Sequence, residues 1–104
     1  MRKDEFWYLS YLAAELTLST PLLLEATKVL KLVKQKNLAF RHNARCIAGA
    51  AVYLAQLTCP NNPKEERWTQ KQITAILGSS ETAIHKNCQY LTENLWYFYQ
   101  YRRT

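Results

Sequence analysis

The sequence has 104 residues, 48% of them hydrophobic, and this length suits one domain with a single core and excludes a second domain. Two glycines and three prolines provide little turn material for an all-β chain, so the predicted fold class is all-α. Fourteen Lys and Arg against eight Asp and Glu give a net charge of +6, which favours a polyanionic partner.

The composition also argues against several classes of protein. The uncharged apolar runs are shorter than the roughly twenty residues that cross a bilayer, so we expect a soluble intracellular protein with no membrane partner. Cys46, Cys59 and Cys88 are odd in number and widely spaced, which predicts reduced structural thiols and no metal site. His42 and His85 belong to no Asp, Ser or Cys constellation of the nucleophile-base type, and the sequence has no glycine-rich phosphate loop, so we expect neither an enzyme nor a bound cofactor.

Two amphipathic helices are predicted at the start of the chain. The first covers about residues 4–17, with an apolar stripe at three- and four-residue spacing made of Phe6, Leu9, Leu12, Ala13 and Leu16. The second covers residues 21–35, with the Thr20 hydroxyl as its cap and Pro21 in its first turn. Its inward face is predicted to consist of Leu23, Ala26, Leu30 and Val33.

The outer side of the second helix is basic. It has no acidic residue after Glu25, and it collects Lys28, Lys31 and Lys34. These lysines form either an ordinary solvated face or a phosphate-contacting surface.

The third helix, predicted over residues 43–58 with Asn43 as its cap, is uncharged from Cys46 to Leu57. A helix that is apolar on nearly every side is buried, so we interpret it as the hub of the fold. Its small residues allow close helix approach, and its large ones fill the core. The small residues are Ala48, Gly49, Ala50, Ala51 and Ala55, and the large ones are Ile47, Leu54 and Leu57.

Two further helices follow a breaker-rich loop at residues 58–67. Thr69 and Gln72 have the spacing of a capping box, which predicts a short helix over residues 69–77 that ends at Gly78. Its inward residues are predicted to be Ile73, Ile76 and Leu77. The fifth helix is predicted over residues 80–97, with an inward stripe of Ile84, Cys88, Leu91 and Leu95.

Thr74, Gly78 and Ile84 have the spacing of a helix-turn-helix, in which a tight turn fixes two helices at a steep angle. Outward side chains of this motif contact bases and phosphates, and we expect the Ser79 and Ser80 amides to hold a phosphate. Taken alone, the pattern fits DNA contact and an ordinary helical hairpin equally well. The predicted DNA-binding residues are Gln70, Lys71, Ser79, Ser80, Thr82, Ala83, His85, Lys86 and Gln89.

Three segments resemble the cyclin-like repeat of the archaeal and eukaryotic transcription initiation factor B family. They are Ile47 to Ala55 (IAGAAVYLA), Thr69 to Ile73 (TQKQI) and Gly78 to Ile84 (GSSETAI), and the likeness covers about residues 4–95 in the same order. In that family the hub reads Ile-Ala-Ala-Ala-Ala-x-Tyr-x-Ala. The resemblance implies a five-helix cyclin-like bundle around a buried central helix, with the last two helices forming a helix-turn-helix.

The resemblance also implies a function. The implied function is that of a DNA-binding transcription factor that contacts duplex promoter DNA. The implied location is the cytoplasm of an archaeon or a nucleus. TATA-binding protein and RNA polymerase are the further partners it suggests. The alternative function is a cyclin-like protein-docking module that binds another transcription or regulatory protein without direct DNA contact.

Three departures from the family pattern bear on how much of the function is carried over. Ser79 replaces a valine, His85 replaces an arginine, and residues 40–43 replace Gly-Arg-x-Pro. The family also has a zinc ribbon and two repeats, whereas this sequence has one repeat and no Cys-x-x-Cys pair. We therefore expect this chain to be either an excised repeat of a longer factor or a small stand-alone relative of the family.

Five aromatic residues lie between Trp96 and Tyr101 at the C-terminus. Successive side chains of a helix are about 100° apart, so some of these rings must face away from the core. Exposed aromatic clusters mark interfaces, and we therefore predict a homodimer that uses Trp96, Tyr99 and the aromatics of the first helix. In the alternative arrangement, the helix ends near Leu95 and the tail folds back onto Phe6, Trp7 and Tyr8.

Overall fold

The structure is a computed structural model that describes residues 3–39, 42–59 and 67–103, with the backbone alone for residues 96–103. These residues form five α-helices and no strand, which confirms the all-α prediction. The helices are α1 (Glu5–Leu16), α2 (Thr20–Gln35), α3 (Ala44–Thr58), α4 (Gln70–Leu77) and α5 (Glu81–Arg103). None of the described helices is both long and apolar enough to cross a membrane.

Local side-chain bonds set most helix starts. The predicted Asn43 cap of α3 is confirmed, because its Oδ1 accepts a hydrogen bond of 2.9 Å from the Arg45 amide. At the start of α2 the prediction was wrong: the cap is Ser19, whose hydroxyl accepts from the Leu22 amide at 3.4 Å. Thr20 is therefore already helical, and Pro21 still lies in the first turn, where its missing amide costs no hydrogen bond.

The buried hub helix is confirmed as α3, which packs against each of the other four helices. All five of its small residues are buried, together with Ile47 and Leu54. Leu57 is different, because half of its surface (51%) is exposed. It lies one turn after the half-buried Tyr53, on the side of α3 that its neighbours leave partly open, so its predicted core role was wrong.

The other inward stripes are confirmed in outline and corrected at their edges. In α2 the buried residue is Leu22 and not Leu23, because Leu22 and Ala26 lie one turn apart on the buried side. In α5 all four predicted residues are buried. Three predicted core residues lie at the rim of the bundle and are half-buried: Phe6, Ala13 and Ile76.

The backbone of α5 remains helical through Arg103, eight residues beyond Leu95. The predicted helix end near residue 97 was thus too early, and the alternative in which the helix ends near Leu95 was wrong. The sequence after Gly78 contains no glycine or proline that would interrupt the helix. Trp96 and Tyr99 lie outside the residues whose side chains the structure describes, so the homodimer stays a prediction.

Candidate nucleic-acid interface

α4 and α5 are joined by a turn of three residues, 78–80. The predicted capping box of α4 is present, with Thr69 and Gln72 each bonding the other's backbone amide. Gly78 ends α4 in the left-handed conformation (φ 67°), which a side chain would disfavour. Its amide and that of Ser79 both donate to the carbonyl of Thr74, so the backbone holds the turn tightly.

The turn lies against α3 at Gly49. A β-carbon placed on Gly49 would lie 2.6 Å from Ile84 Cδ1 and 2.8 Å from Leu77 Cδ1. Real carbon contacts are optimal at about 3.5–4.0 Å, so only glycine fits this approach without a shift of its neighbours. The prediction that small hub residues permit close packing is therefore confirmed at the point where α3 meets α4 and α5.

Three polar links also join α3 to the turn and to the start of α4. Arg45 Nη1 donates to the Gly78 carbonyl at 3.4 Å, and Cys46 Sγ lies 3.2 Å from Ser79 Oγ. The buried Gln56 side chain accepts from the Trp68 amide at 2.9 Å and donates to the Trp68 carbonyl. Since Trp68 directly precedes the cap of α4, these bonds fix where that helix begins.

Most of the predicted DNA-binding residues point outward. The exposed ones are Lys71, Ser80, Thr82, His85, Lys86 and Gln89. The half-buried ones are Gln70, Ser79 and Ala83.

One detail of the predicted phosphate site is corrected by the hydrogen bonds of the turn. The Ser79 amide donates to the Thr74 carbonyl at 3.1 Å, so it is not available to an anion, and the Ser79 hydroxyl lies 3.2 Å from Cys46 Sγ. The Ser80 hydroxyl caps α5 by accepting from the Ala83 amide at 3.1 Å. A phosphate at this helix start would therefore depend on the remaining amides of its first turn.

The charge of the outward face is weakly positive. Lys71 and Lys86 are opposed by Glu81, and all three side chains are exposed. The lysines of α2 are exposed too, but α2 packs against α1 and α3, whereas α4 and α5 pack mainly against α3 and each other. The two predicted phosphate-contacting groups thus lie on helices that do not pack extensively against each other.

Sequence reasoning missed a contact that positions α5. The Tyr90 hydroxyl donates to the Leu38 carbonyl at 2.9 Å, and the His42 ring stacks on Tyr90 with centroids 4.1 Å apart. These bonds tie the α2–α3 connection to α5. The residues are far apart in sequence, so no local spacing could have indicated the contact.

The described cysteines are free, with Cys46 and Cys88 buried and Cys59 half-buried. Within the described ranges, no group of three His, Cys, Asp or Glu side chains is placed to hold a metal ion. In comparison with known proteins, no protein-family model matches this sequence, and no curated protein matches it significantly. The likeness to the initiation factor B family therefore depends on the sequence motifs alone.

Proposed function

We propose that this chain is a transcription factor related to initiation factor B, that its five helices form a cyclin-like bundle, and that α4 and α5 bind duplex DNA as a helix-turn-helix. The division of α5 into two faces supports this proposal most strongly. Ile84 and Cys88 are buried on one side, while Lys86 and Gln89 are exposed on the other. Such a helix can enter a groove without losing its contacts with the core.

The exposed face has dimensions that suit a major groove. Thr82, His85, Lys86 and Gln89 are spaced as i, i+3, i+4 and i+7, so they form one stripe about 10 Å long. The major groove of B-DNA is about 12 Å wide and admits an α-helix. In this arrangement Gln89 is suited to pair with an adenine edge, and Lys86 to contact a phosphate.

The proposal is tested by two substitutions on α5 and one control. Lys86→Ala should weaken binding to all duplexes alike and lower the slope of log K against log salt by about one unit. Gln89→Ala should weaken binding to some sequences only. Lys31→Ala removes an exposed lysine of α2 that lies beside Phe6 of α1, and it should leave both quantities unchanged.

The measurement is fluorescence anisotropy with a pool of random duplexes, followed by duplexes selected from that pool. The thermal melting of each variant shows whether it is folded. Binding by Lys86→Ala that matches the wild-type chain at every salt concentration would remove α5 as the contact surface.

The alternative function, a docking module for another protein, is supported by the exposed lysines of α2, a helix that does not pack extensively against α4 or α5. Lys86→Ala distinguishes the two functions. It should weaken binding to a duplex held by α5, and it should leave binding of a protein partner to the lysines of α2 unchanged.

A further inference from the structure

A second surface of the molecule combines positive charge with aromatic rings. It consists of Lys28, Lys31 and Lys34 of α2 and of Phe6 of α1, and we call it the α1–α2 surface. The three lysines are exposed, and successive ones are about 4.5 Å apart along the helix axis. No helix other than α1 and α3 packs extensively on α2 in the described part of the chain.

The positive charge of this surface is not balanced within its own helix. Glu25 is the one acidic residue of α2, and it is buried, with Thr58 Oγ1 at 3.3 Å from its Oε1. Exposed helices commonly alternate acids and bases four residues apart, and such pairs neutralise each other. Here Lys28 and Lys31 form no ion pair with another described residue.

A shallow groove lies beside these lysines. Its volume is about 280 Å³, and it is lined by Phe6, Lys31, Lys34 and Gln35. The Lys34 ammonium lies 5.5 Å from the centre of the Phe6 ring, so the groove has an apolar wall and a charged rim. Drug-sized ligands occupy pockets of about 300–1,000 Å³, and this smaller, open groove suits a single apolar side chain.

Three aromatic rings of α1 already contact other side chains. Trp7 stacks on Tyr11 with centroids 5.8 Å apart, the Lys3 ammonium lies 4.7 Å from the centre of the Trp7 ring, and the Lys34 ammonium lies over the Phe6 ring. Single-stranded nucleic acids bind proteins by stacking bases on open ring faces, and a duplex backbone has no apolar group for the groove. The surface therefore favours a ligand that carries several carboxylates and, between them, one apolar side chain.

We propose that the α1–α2 surface binds an acidic amphipathic peptide segment of a partner protein. Acidic side chains three or four residues apart on a helical peptide are spaced to face Lys28, Lys31 and Lys34, and one apolar side chain between them enters the groove beside Phe6. This proposal does not depend on DNA binding, since α4 and α5 remain exposed while the peptide is bound.

The test uses a fluorescein-labelled synthetic peptide about four helical turns long, with Asp or Glu at every third or fourth position and one central Leu. Two control peptides have the same length: one has Gln and Asn in place of the acids, and the other has Ser in place of Leu. Anisotropy titrations are made with the wild-type chain and with the double variant Lys31→Glu/Lys34→Glu. The matched control is Lys71→Glu/Lys86→Glu, which changes the net charge equally on the helix-turn-helix.

The acidic peptide should bind the wild-type chain, and the α2 double variant should weaken it by about tenfold, against about twofold or less for the matched control. Both control peptides should bind more weakly than the acidic one. Lys31→Arg/Lys34→Arg should restore binding, and melting curves show that each variant is folded.

Equal weakening by the two charge-reversed variants would overturn the proposal, because it would reveal attraction to net charge alone. The surface would be assigned to nucleic acid if a single-stranded oligonucleotide bound more tightly than the peptide and the α2 double variant lost that binding. The surface would be assigned to a second copy of this chain if the wild-type chain self-associated and the α2 double variant did not. Duplex binding, measured on the same variants, tests the proposed function separately, since that function predicts a loss in the matched control.

Discussion

Replacing Gly49 with alanine tests whether α4 and α5 are held against α3 as closely as the structure indicates. In the interior of an ordinary helix this change is favourable by about 1 kcal/mol. Here the new methyl group would lie 2.6 Å from Ile84 Cδ1 and 2.8 Å from Leu77 Cδ1. Ile84 is fully buried and Leu77 is 6% exposed, so their terminal methyl groups can move only by repacking against other core side chains.

The gain in helix propensity and the cost of overpacking oppose each other, and their relative sizes decide whether Gly49→Ala raises or lowers the free energy of unfolding. Overpacking a well-packed core costs about 1–3 kcal/mol, which exceeds the gain in helix propensity. We therefore expect Gly49→Ala to reduce the free energy of unfolding by about 1 kcal/mol, or to lower Tm by roughly 4–8 °C in a domain of this size. Denaturant and thermal unfolding followed by circular dichroism measure both quantities.

Two further variants isolate the close contact. Ala14→Gly, on the exposed side of α1, measures the propensity difference without any packing change. Ile84→Val removes Cδ1; alone it should cost about 0.5–1.5 kcal/mol, and in the Gly49→Ala background it should cost less. The close contact would be refuted if Gly49→Ala were more stable than the wild-type chain and if its effect and that of Ile84→Val were additive within about 0.5 kcal/mol.

Three other predictions concern the turn, the start of α4 and a buried thiol. Gly78→Ala should cost about 1–2 kcal/mol in unfolding experiments because φ is 67°, and Gly78→Asn should cost less. Gln56→Leu leaves the Trp68 amide and carbonyl without their partners and should lower stability by about 1–3 kcal/mol, a loss that urea titration would detect. Burial raises the pKa of the Cys88 thiol from 9.0 to about 12. Between these pH values the folded chain keeps a proton that the unfolded chain releases, so the free energy of unfolding should fall as pH rises. The fall should be less steep in Cys88→Ala. Iodoacetamide at about pH 8 should modify Cys59 before Cys88 in the native chain, and equal modification mapped by mass spectrometry would contradict this.

The helix boundaries that the sequence predicted well depend on residues within a few positions of each other. Asn43 caps its own helix, Thr69 and Gln72 form a reciprocal box, and Gly78 adopts the left-handed conformation. The Ser19 cap was missed because Ser19 and Thr20 both carry a suitable hydroxyl, and sequence alone does not choose between them. Leu57 was misjudged because its exposure depends on how far the neighbouring helices extend along α3.

The candidate site shows the same division between local and distant causes. Periodicity alone predicted that Thr82, Lys86 and Gln89 face outward. It could not predict that the Ser79 hydroxyl turns toward Cys46, which precedes it by 33 residues. The hydrogen bond from Tyr90 to Leu38 spans 52 residues and likewise follows from the packing of the whole chain.

The packing around Gly49 bears on how the departures from the initiation factor B pattern are interpreted. The hub of that family has alanine where this chain has Gly49, and a methyl group there would collide with residues of both α4 and α5. A hub with alanine would therefore require these side chains to rotate or the two helices to move away from α3. Ser79, in place of the family's valine, is half-buried, with its hydroxyl beside Cys46, about one turn before Gly49 on α3.

Gly49 and Ser79 thus both lie where α3 meets the end of α4 and the turn, and neither belongs to the outward face of α5. His85 is a departure of another kind, because it is exposed between Thr82 and Gln89 on the face that would enter a groove. Arginine, the family's residue at that position, pairs bidentately with guanine, whereas an imidazole offers one ring nitrogen to a base edge. Under the proposed function, the manner of docking is therefore retained while the base preference at His85 differs from that of the family.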